Sequence, residues 1–128
     1  MVKIYAEDKW FSLYIRKRDN FTCQKCFKRF PPYVEGGSNH ALMGLHCAHC
    51  FGRGAHSTRW EPDNSASLCM GCHLYADSHP EVKRGIFVRC LGEERYNELE
   101  VLSHTPYVGW KKDRKQIADK YKKLFRES

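Results

Sequence analysis

The stretch Leu45-His-Cys-Ala-His49-Cys-Phe-Gly-Arg53, read with Arg59-Trp-Glu-Pro-Asp-Asn64 and Leu68-Cys-Met-Gly-Cys-His73, decides the fold of this chain. Leu42 to Cys50 alternates weakly between apolar and polar residues, the period of a half-buried strand. Thr58 to Trp60 is its expected hairpin partner across the Gly52 to Ser57 turn. Leu68 to Ser78 holds Cys69, Cys72, His73, Tyr75 and Ala76 before Pro80 stops it, which predicts a knuckle running into a short helix. The centre of the chain is therefore expected to run strand, strand, helix, and the fold class is α+β.

Outward from that centre the pattern turns helical. Trp10, Phe11, Leu13, Tyr14 and Ile15 form one stripe, and Arg16, Lys17 and Arg18 follow where a helix C-terminus favours cations, predicting a helix over about 7–19. Pro31, Pro32, Gly36, Gly37, Ser38 and Asn39 have turn chemistry and no period, so they read as a surface loop. Val82 to Leu91 and Glu93 to Leu102, separated by Gly92, and then Asp113 to Phe125 are helical by spacing. Residues 111–128 carry eight Lys or Arg against three acids, with a narrow apolar stripe of Ile117, Tyr121, Leu124 and Phe125. The expected organisation is one domain over 1–128, with a core at about 20–79 and a helical, basic C-terminal extension at about 80–128.

The chain has 128 residues, 41% of them hydrophobic and 29% charged, enough for one modest core and too few for two ordinary domains. Its longest apolar runs are a few residues, far from a bilayer span, so no membrane partner is expected. Lys3, Glu7, Asp8 and Lys9 interrupt any export signal at the N-terminus, and the expected location is a reducing cytoplasm. The net charge of +7 points to a polyanionic partner, with nucleic acid ahead of a membrane surface.

Seven cysteines in a chain expected to stay reduced suggest metal ligation more than disulfides. Two cysteines three positions apart on a tight knuckle reach one tetrahedral Zn²⁺, and two such pairs close a structural site. Cys23 and Cys26 make one pair, Cys69 and Cys72 another. Cys47 and Cys50 make a third, and any two of the three pairs can in principle share a metal. The outer pairs are preferred, because Cys47 and Cys50 flank His49 on an expected strand, where knuckle geometry is lost. Those two read as small buried hydrophobes or idle thiols, and Cys90 as part of an apolar helix face with Phe87 and Leu91.

Between the outer pairs lies a chemical constellation. Hydrolysing a phosphodiester takes a base to deprotonate water and a cation to hold the phosphate; a neutral imidazole can do the first and a divalent ion the second. His49 on a strand, Asn64 in the following loop and His73 at a helix start can converge on one side of a strand-strand-helix unit. Arg53 and Arg59, flanking the expected turn, are candidates to fork onto phosphate oxygens, with a solvated face as the plain alternative. Lys111, Lys112, Arg114 and Lys115 are the expected phosphate contacts of the basic segment. His40, His56, His79 and His104 have no evident partner.

These residues resemble the HNH nucleases, whose core is a ββα-metal fold. His49, Asn64 and His73 stand where that family has its first His, its Asn and its last His. The two CxxC pairs resemble the family's zinc-stapled branch, and the likeness covers about a quarter of the chain. A weaker resemblance, to phage recombination endonucleases of the NinG (Rap) type, takes in "YIRKRDNFTCQKC", Gly92, the acidic helix, "SHTPYVGW" and the basic helix. The resemblance implies His49 as general base, Asn64 orienting and polarising it, and His73 as ligand of one catalytic ion such as Mg²⁺ or Mn²⁺. It also implies a DNA substrate, branched DNA among the options, and a bacterial host's cytoplasm if the gene is phage-borne. Many HNH proteins place a metal ligand immediately before the base, where this chain has Ala48. His46, His49 itself, or Asp77 one helical turn after His73 are the candidates to complete the site. NinG-type sequences can have Asn at the position of His73.

The competing expectation is a zinc-stapled DNA-binding module without activity, and a third is a protein-interaction zinc knuckle. A paired double-strand cut would need two active sites and hence a homodimer, but no heptad marks an interface.

Overall fold

A computed structural model describes residues 3–128, the side chains of residues 40 and 41 excepted, so the reading of His40 as partnerless falls outside it. The chain is α+β: α1 (Ala6–Arg18), α2 (His40–Gly44), β1 (Leu45–His49), α3 (His56–Arg59), a 3₁₀ turn (Pro62–Asn64), β2 (Ser65–Cys69), α4 (Met70–Ser78), α5 (Pro80–Leu91), α6 (Glu93–Ser103) and α7 (Trp110–Glu127). Among the described residues no helix is long and apolar enough to cross a membrane.

The two strands pair antiparallel, Leu45 opposite Cys69 and His49 opposite Ser65. This corrects the expected hairpin. Thr58 to Trp60 is not the partner strand: His56 to Arg59 coil into a helical turn, and Pro62 starts the 3₁₀ turn that delivers Ser65. Ser65, Ala66, Ser67 and Leu68 are all buried, so both faces of β2 are covered and small polar residues replace the alternation a half-exposed strand would show.

A knuckle built on residues 19–29 lies beside β2. Asn20, Phe21 and Phe27 adopt left-handed φ values of 56°, 51° and 63°, turning the chain so that Thr22 bridges Arg29. The Asp19 carboxylate accepts the Ser67 N–H at 2.8 Å and the Gln24 N–H donates to the Ser67 carbonyl at 2.8 Å. Those bonds tie the knuckle to the strand.

Three apolar clusters flank the sheet. Phe21, Cys23, Leu45, Ala48, Leu68, Ala76 and Ile86 fill the side of α4 and α5. Phe11, Ile15, Cys47, Trp60 and Tyr121 fill the side of α1 and α7. Ala66, Phe87 and Tyr96 join α5 and α6 to β2. The C-terminal segment is therefore no loose extension, because α7 packs along α1 and completes the core. Phe11 meets Tyr121 edge to face at 4.9 Å, and the Tyr121 hydroxyl donates to the Trp60 carbonyl at 2.6 Å. Cys90, expected in an apolar face, is exposed; Ile86 and Phe87 hold the buried positions on α5.

Candidate metal centre and active site

One donor atom from each of Cys23, Cys26, Cys69 and Cys72 lies within 4.8 Å of every other, and among the described residues this is the metal-ligand group of three or more that converges. The Cys26 and Cys69 sulfurs are 3.8 Å apart. That is the edge of a tetrahedron whose centre lies about 2.3 Å from each corner, the Zn–S bond length. Each pair also makes the knuckle bond: the Cys26 N–H points at the Cys23 sulfur and the Cys72 N–H at the Cys69 sulfur, both at 3.5 Å. Burial raises the proton affinity of Cys23, but N–H groups of Cys26, Cys69 and Lys25 outweigh it and bring the pKa down to about 7. Burial and the neighbouring sulfurs push Cys72 up to about 12. Four sulfurs crowded in this way are costly as thiolates without a cation among them, and the donor set fits a tetrahedral metal ion.

Cys47 and Cys50 stand outside that set. Cys47 is buried against Phe11, Trp60 and Tyr121, which raises its pKa. Burial pushes Cys50 up to about 11 beside Tyr96. Both are protonated thiols at neutral pH.

A histidine pair faces α4. His46 Nδ1 lies 2.9 Å from His73 Nδ1, the rings nearly perpendicular at 80°. Two imidazole nitrogens each about 2.1 Å from a shared ion, at a right angle, would be about 3 Å apart. The His46–His73 spacing suits that arrangement. Asp77, one turn along α4, meets the other nitrogen of His73: Nε2 to Oδ2 is 3.4 Å, and Lys83 takes the second oxygen at 3.2 Å. Asp77 therefore buttresses the far side of His73, and no single atom of that ring faces both His46 and Asp77. Burial lowers the His73 pKa and Asp77 only partly opposes it, favouring the neutral ring that ligates metal.

His49 occupies the other face of β1, against Phe11 of α1, whereas His46 faces His73 of α4, so the expected convergence of His49, Asn64 and His73 on one side of the strand-strand-helix unit is not what the structure shows. The His49 ring lies 5.9 Å from Phe11, and its Nε2 is 3.1 Å from the Arg59 carbonyl. A carbonyl only accepts, so Nε2 carries the hydrogen and Nδ1 is left with its lone pair. Burial, then the charge of Arg53, pulls the pKa down to about 4. At neutral pH the ring is an uncharged acceptor.

Asn64 does not touch that imidazole. It is fully buried, accepts the Phe51 N–H at 2.8 Å, and donates to the carbonyls of Phe51 at 2.9 Å and Thr58 at 3.0 Å. Its amide clasps both ends of the loop between the strands and fixes the peptide next to the Arg59 carbonyl. The expected direct orientation of His49 by Asn64 is thus replaced by an indirect one, with Arg59 supplying the contact.

Arg59 is also not available to a phosphate. It is 1% exposed, and its fork closes on Asp8, Nε to Oδ1 at 2.9 Å and Nη2 to Oδ2 at 2.7 Å. The Trp60 indole adds a third bond to Asp8 at 3.0 Å. Arg114 is likewise held, by Glu7 at 2.7 Å and by Tyr5, whose ring lies 3.8 Å beneath it. Lys111, Lys112 and Lys115 are exposed, and Arg53 is half-buried. His56 stacks on Trp110 at 3.9 Å and His79 on Tyr75 at 4.0 Å, so both have aromatic partners that sequence spacing did not reveal. Arg16, which reaches β1 by donating from Nε to the Leu45 carbonyl at 2.8 Å, was also missed; its place among the helix-terminal cations gave no signal.

Neither a family model, nor a curated protein, nor a solved structure matches the chain.

Proposed function

We propose that this protein is a metal-dependent endonuclease that hydrolyses DNA phosphodiesters in the manner of HNH enzymes, with structural zinc on Cys23, Cys26, Cys69 and Cys72. The observation that carries the reading is the His46–His73 pair, two Nδ1 atoms 2.9 Å apart, with a half-buried, neutral His49 on the opposite face of the same five-residue strand. A structural zinc module has no need of either, because its four sulfurs already close the tetrahedron.

A divalent ion such as Mg²⁺ or Mn²⁺, held by His46 and His73, would supply positive charge against the phosphate and the departing 3′ oxygen. His49 accepts the proton of the attacking water at Nδ1, while its Nε2–H stays on the Arg59 carbonyl. The bond to Arg59 keeps the ring from turning, and Asn64, bonded to the carbonyl of the preceding Thr58, steadies the stretch that carries it. Phe11 closes the apolar side of the ring and holds its proton affinity down. Asp77 anchors His73 from behind.

The test is plasmid nicking by zinc-loaded protein over Mg²⁺, Mn²⁺ and Ni²⁺, with linear and junction substrates beside it. A His49→Ala variant shown to be folded and zinc-loaded is the control. Metal-dependent cutting that the variant loses is the expected result. Binding without cutting under every metal would replace this reading with that of a zinc-stapled DNA-binding module.

A further inference from the structure

Among the described residues, four large apolar side chains are exposed together on one part of the surface: Phe27 at 59%, Met70 at 55%, Leu74 at 62% and Tyr75 at 46%. The cysteine cluster brings them there. Phe27 follows Cys26 and Met70 follows Cys69, whose sulfurs are 3.8 Å apart. Leu74 and Tyr75 lie about one turn further along α4, and Lys25 reaches across from the knuckle to set its Nζ 5.2 Å from the centre of the Tyr75 ring. Exposed apolar residues are ordinary singly, but gathered in this way they mark a binding surface. Phe27 is the most telling of them. Its φ of 63° is left-handed, where a bulky residue is rare and Gly or Asn fits with less strain. The knuckle needs that backbone turn and gains nothing in the core from an exposed ring. The Arg89 guanidinium lies 5.3 Å over the Phe27 ring and donates to the Gln24 carbonyl. Among the described residues neither Lys25 nor Arg89 has a carboxylate at ion-pair distance. Exposed rings beside cations without counter-ions complement a polyanion that carries flat apolar groups.

We propose that Phe27 and Tyr75 form a stacking platform for unpaired DNA bases, with Lys25 and Arg89 taking the phosphates of the same strand. An unpaired strand suits the surface and a duplex does not, because bases inside a duplex already stack on one another and offer no face to a ring on the protein. Tyr75 lies against His79 with ring centres 4.0 Å apart and planes 25° from parallel, which extends the flat surface along α4. His73 precedes Leu74 on that helix and faces His46, so a strand seated on the rings is tethered within about a turn of the histidine pair. The platform extends the nuclease reading by giving the substrate unpaired bases beside the site, and it rests on that reading only for the cut.

The experiment is titration of zinc-loaded, full-length protein into an oligothymidylate of about 15 nucleotides that carries one fluorescent adenine analogue, whose emission falls when it stacks on a ring. No other divalent ion is added, so the strand stays whole. The wild-type protein should quench the reporter. Phe27→Asn should weaken strand binding about tenfold and abolish the quench, leaving the affinity for a duplex of the same length unchanged. Its melting temperature should not fall, because Asn accepts the left-handed backbone that Phe27 holds. Tyr75→Phe should keep binding and quench, and Tyr75→Leu should lose both. An unquenched reporter with the wild-type protein, or equal quench and affinity in a Phe27→Asn protein of native zinc content, would overturn the platform. So would a wild-type dimer that Phe27→Asn dissolves and that leaves the reporter unquenched, which would give the surface to a second copy of the chain. The two readings fail separately. Quenching by a protein that never nicks plasmid would keep the platform and remove the nuclease, whereas cutting by a protein that leaves the reporter unquenched would do the reverse.

Discussion

Asp8 and Arg59 are 51 positions apart in sequence and meet in the interior, where each would be costly alone. Asp8→Ala leaves a buried guanidinium unpaired and should cost about 3–5 kcal/mol in a denaturant titration. Burial raises the Asp8 pKa, but the Arg59 fork, the Tyr5 N–H and the Trp60 indole outweigh it, and the folded value falls below the ordinary 3.8. The pair's contribution is therefore present above that pH and is lost as pH falls through the lower folded value. His49 has the opposite chemistry and the same direction. Its folded pKa of about 4 lies below the free value of 6.5, so the unfolded chain binds more protons between those limits and stability drops as pH falls from 6.5 towards 4. His49→Gln should flatten that part of the stability profile by a few kcal/mol, read as the difference between two pH series of chemical melts. Neither effect was legible beforehand. His49 was found by its spacing to Asn64 and His73, but its partner is a main-chain carbonyl, which no side-chain pattern announces.

At the scale of elements, the long helices were legible, whereas β2 and the short helices α2 and α3, which fall where a strand and a hairpin turn were expected, were not. The stripe of Trp10, Phe11, Leu13, Tyr14 and Ile15 and the stop at Pro80 carry enough period to place α1 and the end of α4 within a residue or two. The Ser-Ala-Ser-Leu-Cys of β2 carries no such period, because both its faces are covered by small side chains. The turn at Gly92 is the most exacting join between helices. It holds φ 84° and ψ 156°, a region that residues with a Cβ avoid, while leaving open space around the missing side chain. Gly92→Ala should therefore destabilise through the backbone alone, by about 1–3 kcal/mol in thermal melts.

Across the whole molecule, the cysteine cluster and the α1–α7 pairing hold opposite sides of one small sheet. Chelation of the metal by a high-affinity competitor should remove the charge that holds the four sulfurs together and lower the melting temperature sharply, with release of one Zn²⁺ per chain read by mass spectrometry. Cys90→Ser should change neither the zinc content nor the melt, because that thiol is exposed and outside the cluster. The outer cysteine pairs were legible from spacing, which is a local property. The docking of α7 on α1 was not, because it joins the two ends of the described chain and no local pattern carries so long a separation. The knuckle bonded to β2 has a consequence for the speed of folding. A metal ion held by both cysteine pairs would close the long intervening loop, so that β1 and β2 would meet within a chain already tethered and at a smaller cost in loop-closure entropy.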